Sequence, residues 1–259
     1  MVRKINAAGG KSVNTFDVTL IALLNELAQR SWAFDSLVVF IAGNNLLKGG
    51  ILTMLIWSAW FSLDETQERI RNREVVLATL FACFVALFIS RLLQVGLPFR
   101  LRPLHIPELG FKVPYTMNTH TLENWSSFPS DHATLFFSMA AGLYWISRFV
   151  GTVSFLYVLV IICIPRIYTG LHFPTDIIGG AVLGIGTAYL VISNTALKRR
   201  MHSTALIWEQ RSPATFYPCF FILTYLIATL FDDVRKMATF MITITCTAPL
   251  KFGQVVSCF

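Results

Sequence analysis

Long apolar runs separated by short polar stretches set the pattern of this chain. Runs at about 49–63, 74–95, 132–149, 152–165 and 175–195 each predict a helix, close to the roughly 20 residues that a membrane span needs. Residues 16–30, FDVTLIALLNELAQR, place Leu20, Leu23, Leu24 and Leu27 on one helical face and Asn25, Glu26 and Arg30 elsewhere. That is the pattern of a helix lying in an interface. Residues 33–46 are apolar but short, and either continue that helix or form a half-span. The run YPCFFILTYLIATLF at 217–231 predicts one more helix, spanning or lying flat. The expectation is an all-α fold, a polytopic transmembrane bundle of about six spans. It divides into N-terminal interfacial or half-spanning helices (1–46), the main bundle (47–195), and a basic loop with an extra apolar helix and tail (196–259).

Composition fits a bilayer. The chain has 259 residues, 55% hydrophobic and 14% charged, where a soluble domain carries about 25% charged residues. Its mean hydropathy is +0.62. The net charge of +7 resides mostly in short loops between apolar runs, a topology signal and an attraction for anionic lipid, with no nucleic-acid patch. The five cysteines have no metal-ligand or disulfide spacing; Cys83 and Cys163 lie in apolar runs, Cys219 opens one, and Cys246 and Cys258 are in the tail. No metal or other cofactor is expected. The first residues are basic but lack an adjoining apolar stretch, so no cleavable signal peptide is expected.

The basic stretches set an orientation. DETQERIRNRE (64–74) and LKRRMH (197–202) read as cytoplasmic loops. One span from 74 to 95 then puts residues 96–130 outside, and a hairpin of spans at 132–149 and 152–165 returns Arg166–Thr175 to the same face. The two segments richest in Arg, His and Asp therefore share one side. The protein is expected in the cell (inner) membrane, with this site facing the periplasm or exterior.

Those segments are LPFRLRPLHIPELG with SSFPSDHATLFF, and PRIYTGLHFPTD. Arg100, Arg102 and Arg166 offer planar guanidinium donors suited to phosphate oxygens. Ser130 stands at an N-cap, where its hydroxyl and the first N–H groups of the helix would make an anion site. Asp176, in the first turn after Pro174, is spaced to reach back to His172 Nδ1, fix the tautomer and leave Nε2 as a nucleophile. His132 would protonate the leaving oxygen and later activate water. The set describes phosphoryl transfer without a metal, with electrostatic stabilisation as its main contribution.

These motifs carry a resemblance. RIYTGLHFPTD is similar to the third signature of the type 2 phosphatidic acid phosphatase superfamily, FPSDH to its second, and FRLRP to the Arg-Pro end of its first. The resemblance implies that His172 forms a phosphohistidine with Asp176 as its partner, that His132 is the general acid, and that Ser130, Arg102 and Arg166 bind phosphate. Three positions depart from the pattern. Val95 stands where the family has a lysine; Arg100 is the first candidate replacement and Arg91 the second. Pro165 replaces a serine, and Asp131 replaces the glycine of Pro-Ser-Gly-His. A carboxylate beside phosphate repels it unless it turns away or pairs with an arginine, so Asp131 is counted with the substrate-binding set.

The Pro-Ser-Asp-His variant and the opening helix resemble undecaprenyl-diphosphate phosphatases of the bacitracin-resistance type. The implied partners are a lipid phosphate or diphosphate substrate and membrane lipids, and the implied reaction is hydrolysis of a polyprenyl diphosphate. Alternatives are a phosphatidic acid or phosphatidylglycerol phosphate phosphatase, a lipid phosphotransferase, and a lipid-phosphate binding protein with a degenerate site.

Overall fold

The computed structural model describes residues 14–62 and 66–247, without the side chains of residues 235 and 242–247. The chain start, the Cys246 side chain and Cys258 lie outside the described residues. Among the described residues helices are the regular structure and there is no strand. Helices α1 (Thr15–Asn25) and α2 (Trp32–Gly43) lead to a π-helical turn, Leu46–Gly50, that runs into α3 (Ile51–Trp60). Helix α4 (Thr66–Gly96) is followed by an irregular segment and then α5 (Asp131–Ile146). Helices α6 (Arg148–Tyr157) and α7 (Ile164–Tyr168) join through a π-helical stretch, and α8 (Pro174–Ser193) follows. The chain continues through α9 (Thr195–Arg211), α10 (Pro213–Ala228) and α11 (Asp232–Thr247).

Among the described residues, three helices are long and apolar enough to cross a membrane: Thr66–Gly96, Arg148–Tyr168 and Pro174–Ser193. The number rises to five if each bent pair is one span, namely Trp32–Gly43 with Leu46–Trp60 (bent by 59°) and α10 with the start of α11 (84°). The outer faces suit lipid. On α4, Phe81, Phe84, Phe88, Leu92 and Val95 recur every three or four residues and are all exposed. On α8, Ile178, Val182, Ile185 and Tyr189 do the same. An apolar stripe at this period covers one side of a helix, and water would not favour two of them. This is a membrane protein.

Helix α5 is the exception to span length, at 16 residues, because it is wrapped by protein: 12 of them are buried. Small residues bring its neighbours to backbone contact. A Cβ at Gly184 would lie 2.1 Å from the Thr134 carbonyl oxygen, and one at Gly180 would lie 2.6 Å from the Ser130 carbonyl oxygen. The Gly-x-x-x-Gly spacing of α8 thus lets it lie directly on α5. On the other side Gly142 meets the Thr79 side chain of α4. The N-termini of α5 and α8 consequently emerge side by side at one end of the bundle.

Two expected loops are helical. Residues 66–74 extend α4, and 197–202 belong to α9. Their Arg, Lys, Glu and Gln side chains are good helix formers that remain solvated. Asn194 caps α9 by accepting from the Leu197 N–H at 3.0 Å. Arg73 pairs with Glu209 at 3.1 Å and stacks over Trp60, tying the two helices together.

Candidate active site

At the end of the bundle where α5 and α8 begin, the segment 97–130 folds over both. Leu104 N–H donates to the Gly170 carbonyl (2.9 Å), Ser127 N–H to the Arg100 carbonyl (2.9 Å), and Ser130 N–H to the Asp176 carbonyl (3.1 Å). Beneath it lies a cavity of about 310 Å³ whose lining includes Arg91, Arg102, His132, Arg166 and His172. The two Arg- and His-bearing segments have become one site.

His172 is 3% exposed. Its Nδ1 lies 2.9 Å from the Ser127 carbonyl oxygen. A carbonyl only accepts, so Nδ1 carries the proton and Nε2 carries the lone pair. Nε2 sits 3.3 Å from Arg102 Nη1, a donor, which requires the same tautomer. Burial pulls the imidazole below its ordinary value, with the nearby Asp176 carboxylate acting in the opposite sense. His172 is therefore neutral at pH 7.

Asp176 does not hold His172 in the expected way. Its Oδ2 is 3.7 Å from Nδ1, beyond a hydrogen bond. The carboxylate instead accepts the Phe173 N–H at 2.7 Å, closing the first turn of α8, and pairs with Arg100 at 2.6 Å. It fixes the backbone that carries His172, and the Ser127 carbonyl orients the ring. Sequence spacing could not reveal a partner that is a backbone oxygen 45 residues away.

Arg102 is 4% exposed and almost wholly committed to backbone oxygens: Leu171 (2.6 Å), Trp125 (3.2 Å) and Ser126 (3.2 Å). Burial lowers it to about 10, countered by Asp176 and Asp131, so it remains cationic at pH 7. Arg166, from α7, lies against His132 with Nη2 2.7 Å from Nδ1. Ser130 is fully buried and its hydroxyl accepts the Ala133 N–H at 3.5 Å. It is an N-cap and does not line the cavity.

Arg100 and Asp131 take places other than those expected. Arg100 turns away from the cavity, bridging Asp176 and Asp17 (2.7 Å) with its guanidinium 4.3 Å over the Phe173 ring. Asp131 borders the cavity, but its oxygens are engaged by Ser90 (2.7 Å), Gln94 (2.8 Å) and Arg91 (2.6 Å) of α4. Paired in this way, it holds Arg91 at the site and no longer presents a bare negative charge to phosphate. Arg91, the second candidate for the missing lysine, also stacks 4.8 Å over Trp125. Val95 is 88% exposed on the lipid-like face and does not point toward the cavity.

Sequence reasoning missed two residues. Asp17 is fully buried in α1 and accepts from Arg100, from Thr175 N–H (2.9 Å) and from the Thr175 hydroxyl (2.6 Å). A carboxylate inside FDVTLIALL was the available signal, since a charge in an apolar run needs a partner. Lys48, 8% exposed in the π-helical turn, lines the cavity. Among the described residues no group of three or more His, Cys, Asp or Glu has metal-ligand geometry.

Comparison with known proteins adds to the geometry. The family model described as PAP2 superfamily matches residues 75–200, which include all eight candidate residues from Arg100 to Asp176. The chain is 28% identical to the "Putative undecaprenyl-diphosphatase YbjG" of Escherichia coli (strain K12) over 199 residues, 76% of this chain and 91% of the relative. It is 24% identical to the "Bacitracin transport permease protein BcrC" of Bacillus licheniformis over 202 residues, 77% of this chain and 90% of that one. Among solved structures, Aquifex aeolicus LpxE matches with a TM-score of 0.45 and 24% identity, covering 68% of this chain and 94% of its own. The chain therefore carries, over residues 75–200, a PAP2 superfamily domain, the domain of a phosphatase family.

Proposed function

We propose that this protein is an integral membrane lipid phosphatase that converts a polyprenyl diphosphate, such as undecaprenyl diphosphate, to its monophosphate. The observation that carries the chemistry is His172: neutral, with Nε2 unprotonated at the cavity and Arg102 beside it. Nε2 attacks the terminal phosphorus, and the bond from phosphorus to the bridging oxygen breaks. His132 protonates that oxygen, which departs as the lipid monophosphate. Water then attacks the phosphohistidine while His132, now a base, takes its proton. The P–N bond breaks, its electrons return to Nε2, and inorganic phosphate leaves. Arg102 and Arg166 stabilise the charge on the transferring oxygens, so no metal is required.

The relative named as an undecaprenyl-diphosphatase supports the substrate class. The cavity holds a headgroup only, and the tail lies along the exposed apolar faces of the helices. The main bundle, 47–195, is the catalytic unit, flanked by 1–46 and 196–259. About six spans place the site at the outer face of the cell membrane. The basic residues Arg69, Arg71 and Arg73 of α4 and Lys198, Arg199 and Arg200 of α9 lie toward the opposite end of the bundle, which supports that orientation.

The test is phosphate release by purified protein in detergent with EDTA, on undecaprenyl diphosphate and phosphatidic acid in parallel. Release from the diphosphate is expected, with His172→Ala at least about 10⁴-fold slower. Preference for phosphatidic acid would move the protein to glycerolipid substrates. Activity surviving in His172→Ala would remove the phosphohistidine.

A further inference from the structure

We propose that a lipid site separate from the active-site cavity lies at the opposite end of the bundle. There Arg71 and Arg148 hold the phosphate of an anionic phospholipid, and its acyl chain runs inward between helices. The site rests on the membrane character of the fold and not on the catalytic reading above.

Helix α5 begins at the cavity that holds His132 and ends at Ile146, about 24 Å away by helical rise. Around that far end a cavity of about 760 Å³ opens between α4, α5, α6 and α8. Its chemistry is ordered along the helices. Arg71, four residues before the buried Val75 of α4, and Arg148, the first residue of α6, line it. Beside them stand Tyr144 and Trp145 at the close of α5 and Tyr189 near the close of α8, all exposed. The Trp145 and Tyr189 rings meet at 5.6 Å and join those two helices. Farther in, Ala141, Phe155 and Ile185 line the same cavity, roughly 8–12 Å from the ends of their helices. Cations, then aromatic rings with a polar edge, then apolar surface are what a phospholipid meets from headgroup to tail.

Charge selects the occupant. Among the described residues the lining has two arginines and no carboxylate. Arg71 reaches Glu68 at 3.9 Å with both side chains 57% exposed, a pairing that contributes little. Arg148 makes no ion pair among the described residues, and it stands in the first turn of α6, where the helix dipole disfavours a cation. An anion between the two guanidinium groups offsets both, and phosphate oxygens match their donors. A basic pocket between spans therefore suits an anionic headgroup. A zwitterionic one would bring its own cation against the arginines. The groove is also preformed. A Cβ at Gly151 would sit 2.1 Å from Tyr144 Cα, so α6 rests on the main chain of α5. The single residue between the helices, Ser147, caps α6 by accepting the Val150 N–H at 3.5 Å.

The experiment measures thermal unfolding of the full chain in neutral detergent against added dioleoylphosphatidylglycerol. Phosphatidylcholine with the same chains and glycerophosphate without chains are titrated in parallel. Phosphatidylglycerol should raise Tm, phosphatidylcholine should raise it far less, and glycerophosphate should leave it unchanged. Arg71→Gln and Arg148→Gln, both at exposed positions, should unfold like wild type without lipid. Each should need about 5-fold more phosphatidylglycerol for half the shift, and the double variant about 25-fold more, at one basic contact apiece. Arg199→Gln, at an exposed position of α9 outside this cavity, should stay within about twofold of wild type. Equal shifts from the two lipids, a matching shift from glycerophosphate, or an equal loss in Arg199→Gln would overturn the site. A shift untouched by the double variant would place the lipid elsewhere, the active-site cavity included, and overturn it too. None of these outcomes bears on the chemistry at His172.

Discussion

The two sides of the cavity are built differently. On the His172 side, position is fixed by backbone: the Ser127 carbonyl orients the imidazole, three carbonyls hold Arg102, and Asp176 ties down the start of α8. On the His132 side, position is fixed between side chains, with Arg166 against the imidazole and Arg91 against Asp131. Backbone contacts survive most substitutions, because every residue brings the same carbonyl. Side-chain contacts change with one codon. The position of His172 therefore depends little on which side chains surround it, and the surroundings of His132 can be retuned. Asp131 in place of the family's glycine is a change on the adjustable side.

The sharpest way to break this comparison is Arg102→Ala. It removes a cation beside His172 and leaves the Leu171, Trp125 and Ser126 carbonyls without their partner. Activity should fall about 10²–10³-fold in kcat, with a drop in thermal stability, measured by turnover and by unfolding in detergent. A loss confined to KM would mean that Arg102 only binds substrate. A smaller effect is expected from Asp17→Ala, which strips three accepted hydrogen bonds from Arg100 and Thr175. Stability should fall by about 2–4 kcal/mol, while kcat, measured at a temperature where the variant is folded, falls less than about 10-fold, since Asp176 still pairs with Arg100. A loss as large as that of Arg102→Ala would place Asp17 in the chemistry. The smallest effect belongs to Val95→Lys, which restores the family's residue on an outward face. Activity should stay within about twofold of wild type. A large gain would mean that a lysine at position 95 reaches the cavity from the outward face.

The gathering of His132, Arg166 and His172 at one cavity was legible because each lies at or beside a helix end, whereas the expected hydrogen bond from His172 to Asp176 is replaced by one to the Ser127 carbonyl. The distinction between Arg100 and Arg102 was not legible. The two lie two residues apart in an irregular segment, and only the fold decides which one enters the cavity. Asp17 and Lys48 were hidden for a related reason. Asp17 meets Arg100 and Thr175, 83 and 158 residues away, and the turn that carries Lys48 is held by α6 and α10, so no window of sequence contains both parties. The charged stretches at 66–74 and 197–202 read as loops because charge marks topology, yet the same side chains favour helix once the apolar part of a span has ended. The short α5 escaped span-length reasoning because protein, and not lipid, surrounds it.

The contact of Gly180 and Gly184 with α5 works as a gauge block. A spacing set by interlocking side chains has play in it, as rotamers shift and methyl groups yield. A spacing set by main chain resting on main chain has almost none. The gap between the helix that carries His132 and the one that carries His172 is therefore machined to a fixed width. The outward faces of α4 and α8 can be re-cut for tails of another length or branching without disturbing the distance between the two histidines.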